Sequence, residues 1–239
     1  MRHALLAVVT CTGLAGCAGM PPELAEVLGP TGMGGMAGAP TEYEIAQGLK
    51  EALAVGTERA VGRLGVRDGF WLNRAVNIPI PESLRKVEKT LRTFGQGKLV
   101  DEFHLSLNRA AEAAVPEAVS IFGDAIRGMT LADARGILNG PNNAATEYFR
   151  GRTSAALAAR FNPIVAKATA GVGATRRYKE LSGKVGKVVP GYQMQDLDAY
   201  VTDRALAGLF VTLASEELKI RQDPAARTTE LLKKVFGAR

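Results

Sequence analysis

The sequence predicts an all-α protein, and three observations carry that expectation. Residues 98–129, KLVDEFHLSLNRAAEAAVPEAVSIFGDAIRGM, place apolar or small side chains at Leu99, Phe103, Leu107, Ala110, Ala114, Ala118, Phe122, Ala125 and Met129. Every gap is three or four, which is one face of an α-helix. Second, the chain is rich in alanine and only 6% aromatic, a mix that suits closely packed helices better than a β-sandwich. Third, no stretch sustains the period-two alternation of a half-buried strand. A single bundle of roughly seven to nine helices is the expected architecture.

The first element is a targeting segment. Met1, Arg2 and His3 form a short positive start, residues 4–13 an apolar run, and Leu14-Ala15-Gly16-Cys17 follows. That layout resembles the bacterial lipoprotein signal, in which the cysteine sulfur takes a diacylglycerol, the chain is cut before it, and the new amine is acylated. The apolar run is too short to be an uncleaved span. Three acyl chains such as palmitate, at ~0.8 kcal/mol per buried methylene, would make attachment effectively permanent. Residues 1–16 are thus read as a cleaved signal peptide and Cys17 as the lipidation site. Cleavage would also remove Cys11, leaving the mature domain without a free thiol or a disulfide. In two-membrane bacteria an Asp after the lipidated cysteine usually signals retention at the inner membrane. Ala18 stands there instead, which points to the outer membrane, facing the periplasm.

Residues 17–40 read as the lipidated cysteine and a tether. Six glycines and four prolines within residues 18–40 cannot hold a helix or strand for long. Flexible-chain scaling gives a reach of about 25–30 Å.

Residues 41–239 read as one helical domain. Thr41 with Glu44 fits a capping box. Ile45, Leu49, Ala52, Leu53, Ala60, Val61 and Leu64 continue at helical spacing, with Gly65 as a stop. Gly48, Ala52, Gly56 and Ala60 form a small-residue stripe where another helix can come close. Residues 68–81 differ: Phe70, Trp71, Val76, Ile78 and Ile80 sit among turn residues, and Pro79 and Pro81 favour extended backbone. This is an ordered loop that plugs its aromatics into the core. Residues 81–94 form a short amphipathic helix with Leu84, Val87 and Leu91 inward, broken by Gly95 and Gly97.

The long stretch from Lys98 follows. Pro116 predicts a kink or break in it. Asp101, Ser106, Arg109, Glu117, Ser120, Asp124 and Arg127 are expected mostly away from its apolar stripe. Thr130 and Asp133 cap a short helix that ends at Gly140-Pro141. Asn142 or Asn143 caps the next helix, which runs through Phe149, Leu157 and Phe161 with an interruption at Pro163. Residues 175–187 read as a polar helix and 188–195 as a loop. Asp196 caps a helix whose 205–214 portion is almost wholly apolar, too short to span a bilayer. Asp223-Pro224 starts a last helix with Leu231, Leu232, Val235 and Phe236 inward.

Five blocks, GLKEALAVGTERAV, IPIPESLRKVEKTLR, LSLNRAAEAAVPEA, ILNGPNNAATEYFR and DPAARTTELLKKVFG, resemble the DUF4197 family of bacterial proteins in order, over about residues 43 to 237. The resemblance implies a secreted helical domain of unknown function and carries no catalytic residues across.

No catalytic set stands out. His104 is the single histidine downstream of the signal, at the edge of the apolar stripe near Asp101, Asn108 and Glu112. A His–Asp pair three apart could orient an imidazole, yet no nucleophile motif accompanies it. A boundary histidine beside carboxylates is the plainer reading. Without a second histidine or a free thiol, a transition metal would rest on carboxylates alone, so no metal or cofactor is expected. Asn139-Gly140-Pro141-Asn142-Asn143, with Glu147, Tyr148 and Arg150, could offer helix-terminal amides to an anion. A capped turn explains the same residues. Arg176, Arg177, Lys179, Lys184 and Lys187 form the densest basic patch, suited to an anionic headgroup or simply a solvated helix face.

The net charge of +6 is spread among Asp and Glu, which argues against nucleic acid as a partner. The expected function is that of a non-catalytic, membrane-tethered module binding a protein or envelope component. A carrier for an apolar small ligand or lipid is the second reading, and a hydrolase using His104 the third. Oligomeric state is not legible.

Overall fold

In the computed structural model the described residues are 41–173, 175–176, 196–227 and 233. All of them lie in the compact unit 39–239. They contain no strand. Seven α-helices follow in order: α1 Glu42–Leu64, α2 Arg85–Thr93, α3 Gly97–Ala114, α4 Ala118–Arg127, α5 Leu131–Asn139, α6 Ala144–Ala170 and α7 Leu197–Gln222.

The all-α class is as expected. The expected count of seven to nine is slightly high when helices are counted as rods. The backbone stays right-handed helical from Ala114 through the 3₁₀ turn Val115–Glu117 to Ala118, so α3 and α4 are one rod broken at Pro116, and the described residues hold six rods. Proline has no N–H to donate, and the tighter 3₁₀ turn absorbs the missing bond.

Local chemistry sets most helix ends. Thr41 and Glu44 exchange both bonds of a capping box at the start of α1. Thr130 and Asp133 do the same for α5. The Asp196 carboxylate accepts the Asp198 and Ala199 N–H groups at the start of α7. Helix α6 departs from expectation, because it runs unbroken through Pro163. Phe161 and Val165 on either side of the proline are fully buried, and that packing holds the register across one lost hydrogen bond.

Helices α6 and α7 pack along one another, with α3 against both. Helix α1 crosses α7 and also meets α4 and α5. The small-residue stripe of α1 is buried as expected, and a Cβ on Gly56 would sit 3.6 Å from Ile220 Cδ1 of α7. The central layer is aromatic: Phe122 lies 4.9 Å from Phe149 and 6.3 Å from Phe210, ring centre to ring centre. Oblique contacts of this kind suit the ring quadrupoles.

Loop 65–81 is inserted into this bundle rather than laid over it. Phe70 and Ile78 are wholly buried, and Val76 and Ile80 nearly so. Two glycines make the insertion feasible. A Cβ on Gly69 would approach the Leu64 carbonyl oxygen to 2.5 Å, and one on Gly208 of α7 would approach Phe70 Cε1 to 2.8 Å. Just before Gly69, Asp68 adopts the left-handed region at φ 70°, which Asp tolerates better than most residues.

Two expected orientations are corrected. Val87 of α2 is 53% exposed instead of inward: α2 packs on α3, Leu91 is partly buried against the core, and the Val87 flank is left uncovered. Ser106 of α3 is buried instead of solvent-facing, since its hydroxyl has partners inside: it donates to the Phe103 carbonyl at 2.7 Å and lies 3.0 Å from Thr175 Oγ1. Among the described residues no helix is long and apolar enough to cross a membrane.

Candidate functional site

The polar residues that the sequence singles out on α3 converge on the inserted loop. His104, Asn108 and Glu112 are four apart, so they stand one above another along a single helix face. Each grips the loop backbone. Asn108, fully buried, accepts the Ile78 N–H at 2.8 Å and donates to the Ile78 carbonyl at 3.0 Å. That is the two-bond pattern of a paired strand, supplied by a side-chain amide. Glu112 Oε1 accepts both the Phe70 and Trp71 N–H groups, at 3.0 and 3.1 Å. Its other oxygen accepts from Arg109, which reaches on to Asp68 at 2.6 Å.

His104 completes the ladder. Its Nε2 lies 2.9 Å from the Ile78 carbonyl oxygen and 3.2 Å from Asn77 Oδ1. A carbonyl only accepts, so Nε2 carries the proton and Nδ1 the lone pair in the neutral ring. Asn77 donates in turn to the Trp71 carbonyl at 2.8 Å, and the Trp71 ring meets the imidazole edge-on at 4.8 Å. Burial pushes the His104 pKa below the ordinary histidine value, and the Ile78 carbonyl offsets part of that shift.

The three α3 candidates therefore divide. His104 and Glu112 belong to the loop clamp. Asp101 turns away to Arg92, at 2.8 Å, so its hydrogen bond goes to α2 instead of to the imidazole. The arrangement orders a loop: His104 Nε2, the Asn108 amide and Glu112 Oε1 all engage its backbone groups.

The Asn139–Asn143 turn is a second polar junction. Asn143 occupies the N-cap position of α6, but its side chain makes no capping bond, contrary to expectation. Glu217 of α7 supplies the anion. It accepts the Ala145 N–H at 3.0 Å, the Thr146 N–H at 2.9 Å and the Thr146 hydroxyl at 2.8 Å. The helix-terminal amides that could hold an external anion thus hold an internal carboxylate. Arg221, one turn further along α7, donates to Glu217 at 2.8 Å and to the Ile137 carbonyl of α5 at 2.8 Å. One ion pair therefore fixes both sides of the turn. Glu147 and Arg150 pair at the surface, and the Arg150 guanidinium lies 4.5 Å from the Phe210 ring centre.

Glu216 and Glu217 escape a reading of the sequence alone. Both carboxylates are buried, Glu216 against Arg63 at 2.8 Å and Lys219 at 2.9 Å. Adjacent glutamates at the end of an apolar run look like a solvated helix end. Only the spacings Glu216–Lys219, of three, and Glu217–Arg221, of four, hint at pairs.

Beside this junction, Leu49, Leu53, Gly56, Leu213 and Ile220 surround a cavity of about 20 Å³ between α1, α6 and α7. A wider, open groove of about 350 Å³ runs between α4 and α6, with Ile121 and Tyr148 in it and Asp124 and Arg152 at its rim. Among the described residues no three His, Cys, Asp or Glu side chains are grouped to hold a metal ion. Arg176 is exposed. Arg177, Lys179, Lys184 and Lys187, and Cys17 with the whole N-terminal segment, lie outside the described residues.

Asn108 and Glu112 of the ladder, the 139–143 turn and the Pro79–Pro81 segment fall within the blocks that carry the family resemblance. A family model described as a protein of unknown function, DUF4197, matches residues 39–237. The chain belongs to the DUF4197 family. No curated protein matches the chain, and no solved structure matches it. In this DUF4197 member Asn108 and Glu112 of the third resemblance block and Thr146 of the fourth hold positions in the fold.

Proposed function

We propose that this DUF4197 domain is a non-catalytic, lipid-anchored module on the periplasmic side of the outer membrane that binds a protein or another envelope component. The observation that carries the proposal is Leu14-Ala15-Gly16-Cys17, set directly after an apolar run and before a glycine- and proline-rich segment. A thioether-linked diacylglycerol on Cys17 plus an amide-linked acyl chain would fix the domain to a leaflet, with residues 18–40 as the tether. The geometry supports binding over catalysis. His104, Asn108 and Glu112 are engaged with backbone groups of the inserted loop. Asp101, three residues before His104, is bonded to Arg92.

The carrier reading is less well supported. The apolar cavity between α1, α6 and α7, at about 20 Å³, has room for about one water and none for an acyl chain, whose pockets run to hundreds of Å³. A hydrolase would need His104 Nδ1 to meet a nucleophile, and Ser106 on the same helix is committed to Phe103 and Thr175.

Metabolic labelling with palmitate tests the anchor. The wild-type chain takes up label and sediments with the outer membrane. Cys17→Ala takes up none and is released to the soluble fraction. A Cys17→Ala chain that remains membrane-bound contradicts the proposal.

A further inference from the structure

We propose that the groove between α4 and α6 receives a short segment of a partner protein, one that carries an Asp or Glu beside a large apolar side chain. This rests on the reading above that the domain binds a protein, and deepens it by naming the surface and the chemistry of the occupant. Ile121, Ala125 and Gly128 recur at gaps of four and three along α4 and its C-cap, and Tyr148, Arg152 and Ala156 at gaps of four along α6. One row from each helix thus lines the groove for about two turns. Alanine and glycine leave unfilled the space that larger side chains would take, and the groove holds about 350 Å³, within the range of ligand sites. Ile121 and Tyr148 pack partly against the core and present the rest of their surface to the groove. The Tyr148 hydroxyl donates to the Ala125 carbonyl at 3.4 Å, which braces α6 against α4 before anything binds.

Arg152 supplies the charge. Its guanidinium lies 5.7 Å from the Tyr148 ring centre, and among the described residues it makes no ion pair. The acids around it are engaged elsewhere. Asp124, the acid of the groove itself, pairs with Arg127. Asp133 accepts the Thr130 N–H at 3.0 Å and the Thr130 hydroxyl at 2.8 Å. Those two bonds hold the Asp133 carboxyl below the usual carboxylate range, and Arg152 is near enough to add to the effect. A guanidinium set over a ring still offers its in-plane N–H fork, which matches a carboxylate. The charge the groove lacks is therefore negative, and the net charge of +6 favours the approach of an acidic partner.

The openness of the groove selects the kind of occupant. A free acyl chain gains its affinity by burying most of its surface, and a groove open along one side leaves much of that surface wet. A protein segment brings its own cover: its apolar side chain enters beside Ile121 and Tyr148, its acid meets Arg152, and its backbone stays outside. A second copy of this chain would have to free Asp124 or Asp133 from its present bonds to supply that acid.

Peptide selection tests the groove. Displayed short peptides tiling the exported proteins of the host bacterium are panned against the full-length lipidated chain in phosphatidylcholine vesicles. The expected result is enrichment of peptides that pair Asp or Glu with a large apolar residue. Their binding should weaken about tenfold or more with Arg152→Glu, and again with Ala156→Trp, which fills the groove from an exposed position. Replacing the peptide acid by Lys should restore binding to Arg152→Glu. Lys167→Glu, exposed on the same helix about 22 Å away, should change little. No enrichment, or enriched peptides indifferent to Arg152→Glu and Ala156→Trp, overturns the groove. Equal losses with Lys167→Glu and Arg152→Glu reduce the effect to overall charge and overturn it too. Self-association that Ala156→Trp abolishes, with no peptide enriched, assigns the groove to a second copy and also overturns it. Flotation of the vesicles scores the anchor separately, and the selection is repeated on the Cys17→Ala chain in solution. A chain that floats but selects no peptide leaves the anchor standing, and one that selects the expected peptides but does not float leaves the groove standing.

Discussion

Glu217 and Thr146 meet at the start of α6, where one carboxylate oxygen accepts both the Thr146 N–H at 2.9 Å and its hydroxyl at 2.8 Å. The two residues are 71 apart in sequence. The same device appears at the other junction, where Glu112 takes the consecutive amides of Phe70 and Trp71 and is paired with Arg109 on its own helix. Each buried glutamate thus serves as an internal anion that fixes a remote segment.

Removing the Glu217 anion should be expensive. Glu217→Ala strands two helix-terminal amides and leaves Arg221 half-paired in a largely buried setting. The expected loss is about 3 kcal/mol in urea unfolding, the lower end of what a broken buried ion pair costs. Glu217→Gln keeps the shape and should cost less. A change within about 0.5 kcal/mol for the alanine variant would mean that the turn is held by something else.

Asn108 sets the register of the inserted loop. Asn108→Ala leaves the Ile78 N–H without its partner in a wholly buried site, a loss of about 2 kcal/mol. Because Trp71 is ordered through Asn77 and His104 beside Ile78, its near-ultraviolet circular dichroism should weaken in step. Asn108→Asp should be at least as damaging, since a carboxylate cannot donate to the Ile78 carbonyl. Unchanged stability and an unchanged tryptophan signal would remove the ladder from the account.

His104 makes folding depend on pH in a stated direction. Its pKa is lowered in the fold from the ordinary 6.5, so the unfolded chain binds the proton more readily. Stability should therefore be greatest above pH 6.5, fall as the pH drops through 6.5 toward the folded-state value, and level off below it. His104→Gln should remove that part of the pH dependence. A stability that rises as the pH falls over this window would show the opposite sign and contradict the burial argument.

Gly208 is the socket for Phe70. Gly208→Ala would place a methyl group 2.8 Å from the ring edge, and the ring is buried on every side. Overpacking of this kind costs about 1–3 kcal/mol. Helix propensity would favour alanine by about 1 kcal/mol at this position, so a stabilised variant would show that the ring has room to move.

The sequence made some of this visible and concealed the rest, for physical reasons. The 3.6-residue period marks buried faces, and Leu107, Ala110, Ala114 and Phe122 are buried as that period requires. Capping boxes are local, and those at Thr41 and Thr130 were legible because donor and acceptor lie three residues apart. The glutamate junctions are non-local. Nothing within the reach of a helix turn announces that Glu217 caps α6 or that Glu112 holds loop 65–81. Proline illustrates the same limit in two ways. At Pro116 the rod gives way to a 3₁₀ turn, whereas at Pro163 tertiary packing overrides the local preference and α6 continues. His104 and Glu112 stand out in the sequence only as weak catalytic candidates, and their hydrogen-bonding roles could be read only once Ile78, Phe70 and Trp71 were placed beside them.

The central claim is that a lipid on Cys17 fixes this helical domain to a membrane leaflet. Mass spectrometry of the protein extracted from envelopes tests it most directly. The account predicts an N-terminal peptide that begins at Cys17 and carries the added mass of a diacylglycerol and an amide-linked acyl chain. An unmodified Cys17 within a longer peptide, or a chain cleaved elsewhere with a free thiol, would contradict it.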